Sequence, residues 1–224
     1  MSALTRGVIG VCTLGGVCGG GYGLHKLLSN DSIESKLKAN EYILLTDSAD
    51  HEQYWTEILK NYKLVAATDS PFKFKDFTGE DSVPAGQPDA KSKLKELCKK
   101  TTQKRTFEDD KEVEYNKAKK WCVVPKTASE MLKAEGLTIL DTKIADGKTN
   151  PNSTEWTAKV KDYIKSDNTH KITQPAWEGG KGPEKSEEAD IKKFMQQCEK
   201  LHNTKTYEQH YETIFKDAKR WCAI

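Results

Sequence analysis

Apolar residues recur along much of the chain at helical spacing. Ile191, Phe194, Met195, Cys198 and Leu201 fall at i, i+3, i+4, i+7 and i+10, which places them on one face of a helix. Tyr211, Ile214, Phe215, Ala218 and Trp221 predict a second helix after it. Further upstream, the triplets Trp55/Leu59/Tyr62 and Trp156/Val160/Tyr163 each mark one helical face. Thr206 with Gln209 reads as a capping-box start for the last helix, and Thr106 with Asp109 as its looser counterpart. The stretches from Pro71 to Pro88 and from Pro175 to Pro183 are rich in Gly and Pro and read as linkers. Short apolar runs at Tyr42–Leu45 and Thr138–Leu140 are candidate strands. The fold class is therefore mainly α, or α+β where those short strands form.

The same elements occur twice. Trp121-Cys122 recurs 100 residues later as Trp221-Cys222, and Cys98 recurs as Cys198. Aligned without a gap, 93–122 and 193–222 are identical at ten of 30 positions, among them Lys93, Cys98, Thr106, Glu112, Ala118, Trp121 and Cys122. Trp55-Thr56, Lys60 and Tyr62 match Trp156-Thr157, Lys161 and Tyr163 at an offset of 101. Two tandem duplicated small helical modules are expected, spanning 31–127 and 128–224. The aromatic stripes read as their cores rather than as binding surfaces.

Ahead of the modules, residues 1–30 form a different segment. Gly7–Leu24 is an uncharged run of 18 residues between Arg6 and the pair His25-Lys26. A membrane-spanning helix needs about 20 mostly apolar residues, so this run is just long enough. Eight of the 15 glycines lie in it. Gly15, Gly19 and Gly23 make a doubled GxxxG that would let another helix approach closely, although low complexity alone also explains them. A retained anchor, an N-terminal apolar helix, is the favoured reading. A cleaved signal peptide lacks an A-x-A site. A lipoprotein signal is disfavoured by Val11 and Val17 before Cys12 and Cys18. Asp31 and Glu34 after the span favour an external body.

Charge sharpens this division. Arg6 and Lys26 carry the whole net charge of +2, and the remaining 34 basic residues balance 34 acidic ones. A neutral body argues against nucleic-acid binding. The mean hydropathy of −0.76 excludes a multi-pass membrane protein.

Four cysteines lie in the body and allow three disulfide connectivities. The repeat favours Cys98–Cys122 with Cys198–Cys222, each closing a loop worth about 3 kcal/mol outside a reducing compartment. A straight antiparallel hairpin turning near Thr106 argues the other way, because it would leave Cys122 much farther from the turn than Cys98. Buried free thiols are the alternative. Cys198, His202, His210 and Cys222 supply four potential metal ligands, but their spacing is not a zinc pattern, and the first module has Thr102 and Asp110 in place of the histidines. His25, His51 and His170 have no recognisable catalytic partners, and no nucleophile elbow, phosphate loop or dinucleotide fingerprint occurs. Glu187-Glu188 and Asp109-Asp110 sit where helix starts are predicted and suit the helix dipole. Phe72-Lys73-Phe74-Lys75 alternates like a stacking surface for single strands but reads better as a strand or loop. Asn152-Ser153-Thr154 fits a glycosylation sequon, relevant only in a eukaryotic secretory pathway. No catalytic residue, metal or cofactor is expected.

The apolar Gly7–Leu24 run, the Trp55 and Trp156 helices and the Cys…Trp-Cys endings together resemble the paralogous membrane-anchored proteins of haemotropic mycoplasmas. The resemblance implies a surface protein with a role in host contact or antigenic variation, and it carries no catalytic residues. The expectation is a non-enzymatic, single-pass protein that meets the membrane through residues 7–24 and host or self proteins through its body. The alternatives are an enzyme or enzyme accessory with its site between the modules, and a cytoplasmic scaffold with reduced cysteines.

Overall fold

Eight α-helices are formed by the described residues of the computed structural model, which are 32–81, 88–105, 111–143 and 149–224. They are α1 (Ile33–Ala39), α2 (Glu52–Ala66), α3 (Ala90–Gln103), α4 (Lys111–Trp121), α5 (Ala128–Ala134), α6 (Ser153–Tyr163), α7 (Glu188–Asn203) and α8 (Tyr211–Trp221). The chain is mainly α. Gly7–Leu24, with Gly15, Gly19 and Gly23, lies outside the described residues. Among the described residues no helix is long and apolar enough to cross a membrane.

The amphipathic stripes bury as their spacing predicts. Phe194, Cys198 and Leu201 of α7 and Ala218 of α8 are fully buried, as are Tyr62 of α2 and Trp156 and Val160 of α6. Packing follows one pattern in both halves. In the first, α1 packs on α3 and α4, α2 on α3, and α3 on α4; in the second, α5 packs on α7 and α8, α6 on α7, and α7 on α8. Two hydrophobic cores result, one around Tyr62, Leu94 and Trp121 and the other around Trp156, Phe194 and Trp221.

Aromatic side chains fasten the loops to these cores. The indole N–H of Trp55 donates to the Thr46 carbonyl, and that of Trp156 to the Asp141 carbonyl, both at 2.9 Å. Trp121 donates to the Phe72 carbonyl and Trp221 to the His170 carbonyl. The Tyr62 hydroxyl accepts from the Phe74 amide and donates to the Phe77 carbonyl, while the Tyr163 hydroxyl accepts from the Ile172 amide. Phe74 and Phe77 stack on Tyr62, so the Phe-Lys alternation is a core loop. Gly79 sits in this loop at φ +84, and a Cβ there would lie 2.9 Å from Lys63 Cγ, so glycine is required.

The expected strands shrink to single antiparallel bridges, Leu44 with Val123 and Ile139 with Ala223. Backbone bonds flank each bridge: Leu45 donates to the Cys122 carbonyl and Val124 to that of Ile43 in the first half, while in the second Leu140 donates to the Cys222 carbonyl and Thr138 and Ile224 exchange two bonds. The capping-box expectation at Thr206 is overturned. The Thr206 amide donates to the Lys126 carbonyl and its hydroxyl accepts from the Lys126 amide. With Thr206 so engaged, α8 starts later, after His210 at φ 62. Its counterpart at Thr106 lies outside the described residues.

Two helices, α1 and α5, were not marked by the apolar periodicity. Each has seven residues and buries only two, Ile33 and Leu37 in α1 and Ala128 and Leu132 in α5. Their starts are capped. The Ser32 hydroxyl accepts from the Ser35 amide, and Thr127 with Glu130 forms a full capping box. Because Leu37 and Leu132 are fully buried, Leu37→Ala and Leu132→Ala are each expected to cost about 2–5 kcal/mol in urea unfolding. A loss near zero in either variant would mean that the short helix is not part of the cooperative fold.

Candidate functional site

Each disulfide ties the end of one helix to the middle of the preceding one. Cys98–Cys122 joins α3 to the residue after α4, and Cys198–Cys222 joins α7 to the residue after α8, with Cα separations of 5.3 and 5.5 Å. The straight-hairpin objection falls away because α8 begins only at Tyr211, well beyond the end of α7 at Asn203. A connection of that length lets the helices cross, so that the end of α8 reaches Cys198. The free-thiol alternative is likewise overturned, since all four body cysteines are bonded. The metal-ligand set loses Cys198 and Cys222 to the disulfide, and among the described residues no group of three or more His, Cys, Asp or Glu is placed to hold a metal ion.

Each half carries a groove built from equivalent elements. The first, of about 960 Å³, lies between α1, the segment 42–47 and α3, and is lined by Lys38, Leu44, Trp55, Lys95, Thr102 and the disulfide itself. The second, of about 670 Å³, lies between α5, the segment 137–143 and α7, and is lined by Lys133, Ile139, Asp141, Glu199 and His202. The walls differ in chemistry. Lys95 bridges Asp47 at 3.2 Å and Glu52 at 3.1 Å at the mouth of the first groove. In the second, the imidazole of His202 is buried against the Cys222 carbonyl at 3.2 Å. Burial holds its pKa below the ordinary histidine value, so it is neutral at physiological pH. A smaller pocket of about 410 Å³ between α6 and α7 is floored by Trp156, Ile191 and Met195 and edged by Glu188 and Lys192.

No family model matches the chain, and no match is found among curated proteins or solved structures.

The seam between the halves is filled by charged and aromatic groups bound to one another. Lys120 of α4 is 4 % exposed. Its ammonium donates to the Thr206 and Glu208 carbonyls at 3.3 and 3.2 Å and to the Glu212 carboxylate at 3.0 Å. Its ring neighbours are Phe72, Trp121 and Tyr211. Tyr207 of the second half packs in the first hydrophobic core and donates its hydroxyl to Glu57 at 2.6 Å, with Lys205 beside it at 3.1 Å. Lys126 reaches the Glu41 carbonyl and lies over Tyr42. The cap spacing drew attention to Thr206 alone; the partners of Lys120 and Lys205 come from segments far apart in sequence and carry no local signal.

Two carboxyls respond to acid in opposite directions. The Tyr207 hydroxyl, then Gln53 and Lys205, hold Glu57 down from 4.5 to about 2. A carboxyl lowered on folding stabilises the fold above its unfolded value and loses that contribution as the pH falls through the folded value. Glu57→Gln is therefore expected to lower Tm near neutral pH, with the gap to the wild type closing between about pH 4.5 and 2. A gap unchanged across that window would remove the ionised Glu57 contact from the stability of the seam. Asp217 of α8 is the reverse case. Its Oδ2 atom is buried without a hydrogen-bond partner among the described residues, and burial raises its pKa against the opposing pull of Arg220 and His170. The charged form opposes folding once the pH exceeds the unfolded value, so Asp217→Asn is expected to raise Tm near neutral pH and to have a smaller effect in acid. A lower Tm for this variant near neutral pH would show that the carboxylate is compensated.

Proposed function

We propose that this chain is a membrane-anchored, surface-displayed protein that acts through contact rather than catalysis. In this reading its body is a tandem pair of one four-helix module, spanning 31–127 and 128–224, and Gly7–Leu24 is its single apolar anchor helix. The observation that carries the reading is the pair of disulfides, one at the same place in each half. Bonds of this kind persist in oxidising surroundings and supplement small cores. An uncharged 18-residue run ahead of a neutral, disulfide-stapled body fits a tether with its body outside. The duplication is supported by matched contacts. Ser32 bridges Arg105 as Thr127 bridges Lys205, and Leu45 donates to the Cys122 carbonyl as Leu140 does to that of Cys222. The resemblance to mycoplasma surface proteins favours the same placement, with host or self proteins as partners. A catalytic site between the halves has less support, because its charged groups already have protein partners, Lys120 with Glu212 and Glu57 with Tyr207.

Protease treatment of intact cells, followed by non-reducing mass mapping, tests this reading. Body peptides are expected in the supernatant without lysis, with Cys98 linked to Cys122 and Cys198 to Cys222. A body reached only after lysis and carrying four free thiols would overturn it.

A further inference from the structure

The two disulfides are equivalent in position but not in access. In the first half both Cys98 and Cys122 line the 960 Å³ groove. In the second half neither Cys198 nor Cys222 reaches the corresponding groove wall, which carries His202 instead. Exposure follows the same order, with Cys98 at 4 % and Cys122 at 2 % against 0 % for both Cys198 and Cys222.

One substitution between the halves accounts for the difference. Thr102 and His202 are equivalent on α3 and α7, four residues after the helical cysteine. The Thr102 hydroxyl turns back to the Lys99 carbonyl of its own helix at 3.1 Å, and its short side chain lines the groove together with both cysteines. The His202 imidazole instead reaches across to the Cys222 carbonyl at 3.2 Å and lines the second groove, where neither cysteine does. Thiol–disulfide exchange requires a thiolate to reach one sulfur, so access decides which bond opens.

We propose that Cys98–Cys122 is the exchangeable disulfide of this chain, opened by a low-molecular-weight thiol entering the groove between α1, the segment 42–47 and α3, while His202 seals Cys198–Cys222. The incoming thiolate attacks Sγ of Cys98, the more exposed residue of the pair. A bond forms between the two sulfurs, the protein S–S bond breaks, and Cys122 leaves as a thiolate that takes a proton from water. A second thiol then attacks the outer sulfur of the mixed disulfide and displaces the Cys98 thiolate. Two small thiols are oxidised to one disulfide, and the protein disulfide is reduced to two thiols. The end of α4 keeps its other ties, the Trp121 indole on the Phe72 carbonyl and the Leu45 amide on the Cys122 carbonyl, so the first half opens at one corner without losing its core. The exchange does not depend on where the body is displayed.

Purified full-length chain in mild detergent, with Cys12 and Cys18 first capped by N-ethylmaleimide, is exposed to graded reduced glutathione under native conditions. A second, mass-labelled maleimide then reads out each cysteine. Cys98 and Cys122 are expected to be labelled about tenfold faster than Cys198 and Cys222, at a rate that rises with glutathione concentration. His202→Thr is expected to bring the second pair towards the rate of the first, and Thr102→His to slow the first pair. Simultaneous opening of both pairs, earlier opening of the second, or rates independent of glutathione would overturn the proposal. The order in the wild-type chain decides the matter even if a variant does not fold.

Discussion

The adjacent residues Trp121 and Cys122, with their equivalents Trp221 and Cys222, are the constraint on which each half depends. At the end of one helix they anchor three other segments. The indole N–H holds the loop after the second helix, through the Phe72 or His170 carbonyl. The sulfur ties the chain to the middle of the third helix. The backbone carbonyl of the cysteine accepts from the extended segment after the first helix, at Leu45 or Leu140. In a small core the ordering entropy offsets most of the hydrophobic gain, so the net stability left by burial is thin. A covalent link and two directional hydrogen bonds at one corner set the angles between the elements, and the apolar faces then have a single way to meet.

The halves share this framework but meet through a strap instead of through helix faces. Thr204–Tyr211 of the second half lays its carbonyls over Lys120 and puts Tyr207 into the first core. An ammonium removed from water must be repaid by hydrogen bonds, and this one has two carbonyls and a carboxylate. A seam of this kind locks register more than it adds apolar burial. The two hydrophobic cores accordingly remain separate clusters, with Tyr207 of the second half inserted in the first core and Met131 packed against it.

Much of the helical framework was legible because long amphipathic helices repeat their apolar residues over several turns. The faces of α2, α6, α7 and α8 lie where Trp55, Trp156, Phe194 and Trp221 placed them. Helices α1 and α5 escaped that signal, since two buried residues in seven make no period, although the Thr127 and Glu130 capping pair was present in the sequence. Thr206 shows the opposite failure. Its cap spacing was genuine, yet the Lys126 backbone outcompeted the local helix start for both of its polar groups. The disulfide pairing was legible through repetition alone, because the path between the helices that makes it feasible depends on tertiary packing. The grooves were not legible at all. Each is a juxtaposition of a first helix, an extended segment and a third helix that lie dozens of residues apart.

Divergence between the halves concentrates where their surroundings differ. Lys120 is buried because the strap covers it, whereas Arg220 at the matching place has no strap and is exposed. Glu57 receives Tyr207, and its counterpart Ala158 is exposed and receives nothing polar. Thr102 lines the first groove together with both cysteines, whereas His202 lines the second without them and binds the Cys222 carbonyl. In all three pairs the helix and its register are kept while the side chain changes with its environment. This is the pattern expected of two copies of one module that became unequal after joining. Under the duplication proposed above, any division of labour between the halves falls at the seam and in the groove walls, where the side chains differ, and not in the shared framework residues.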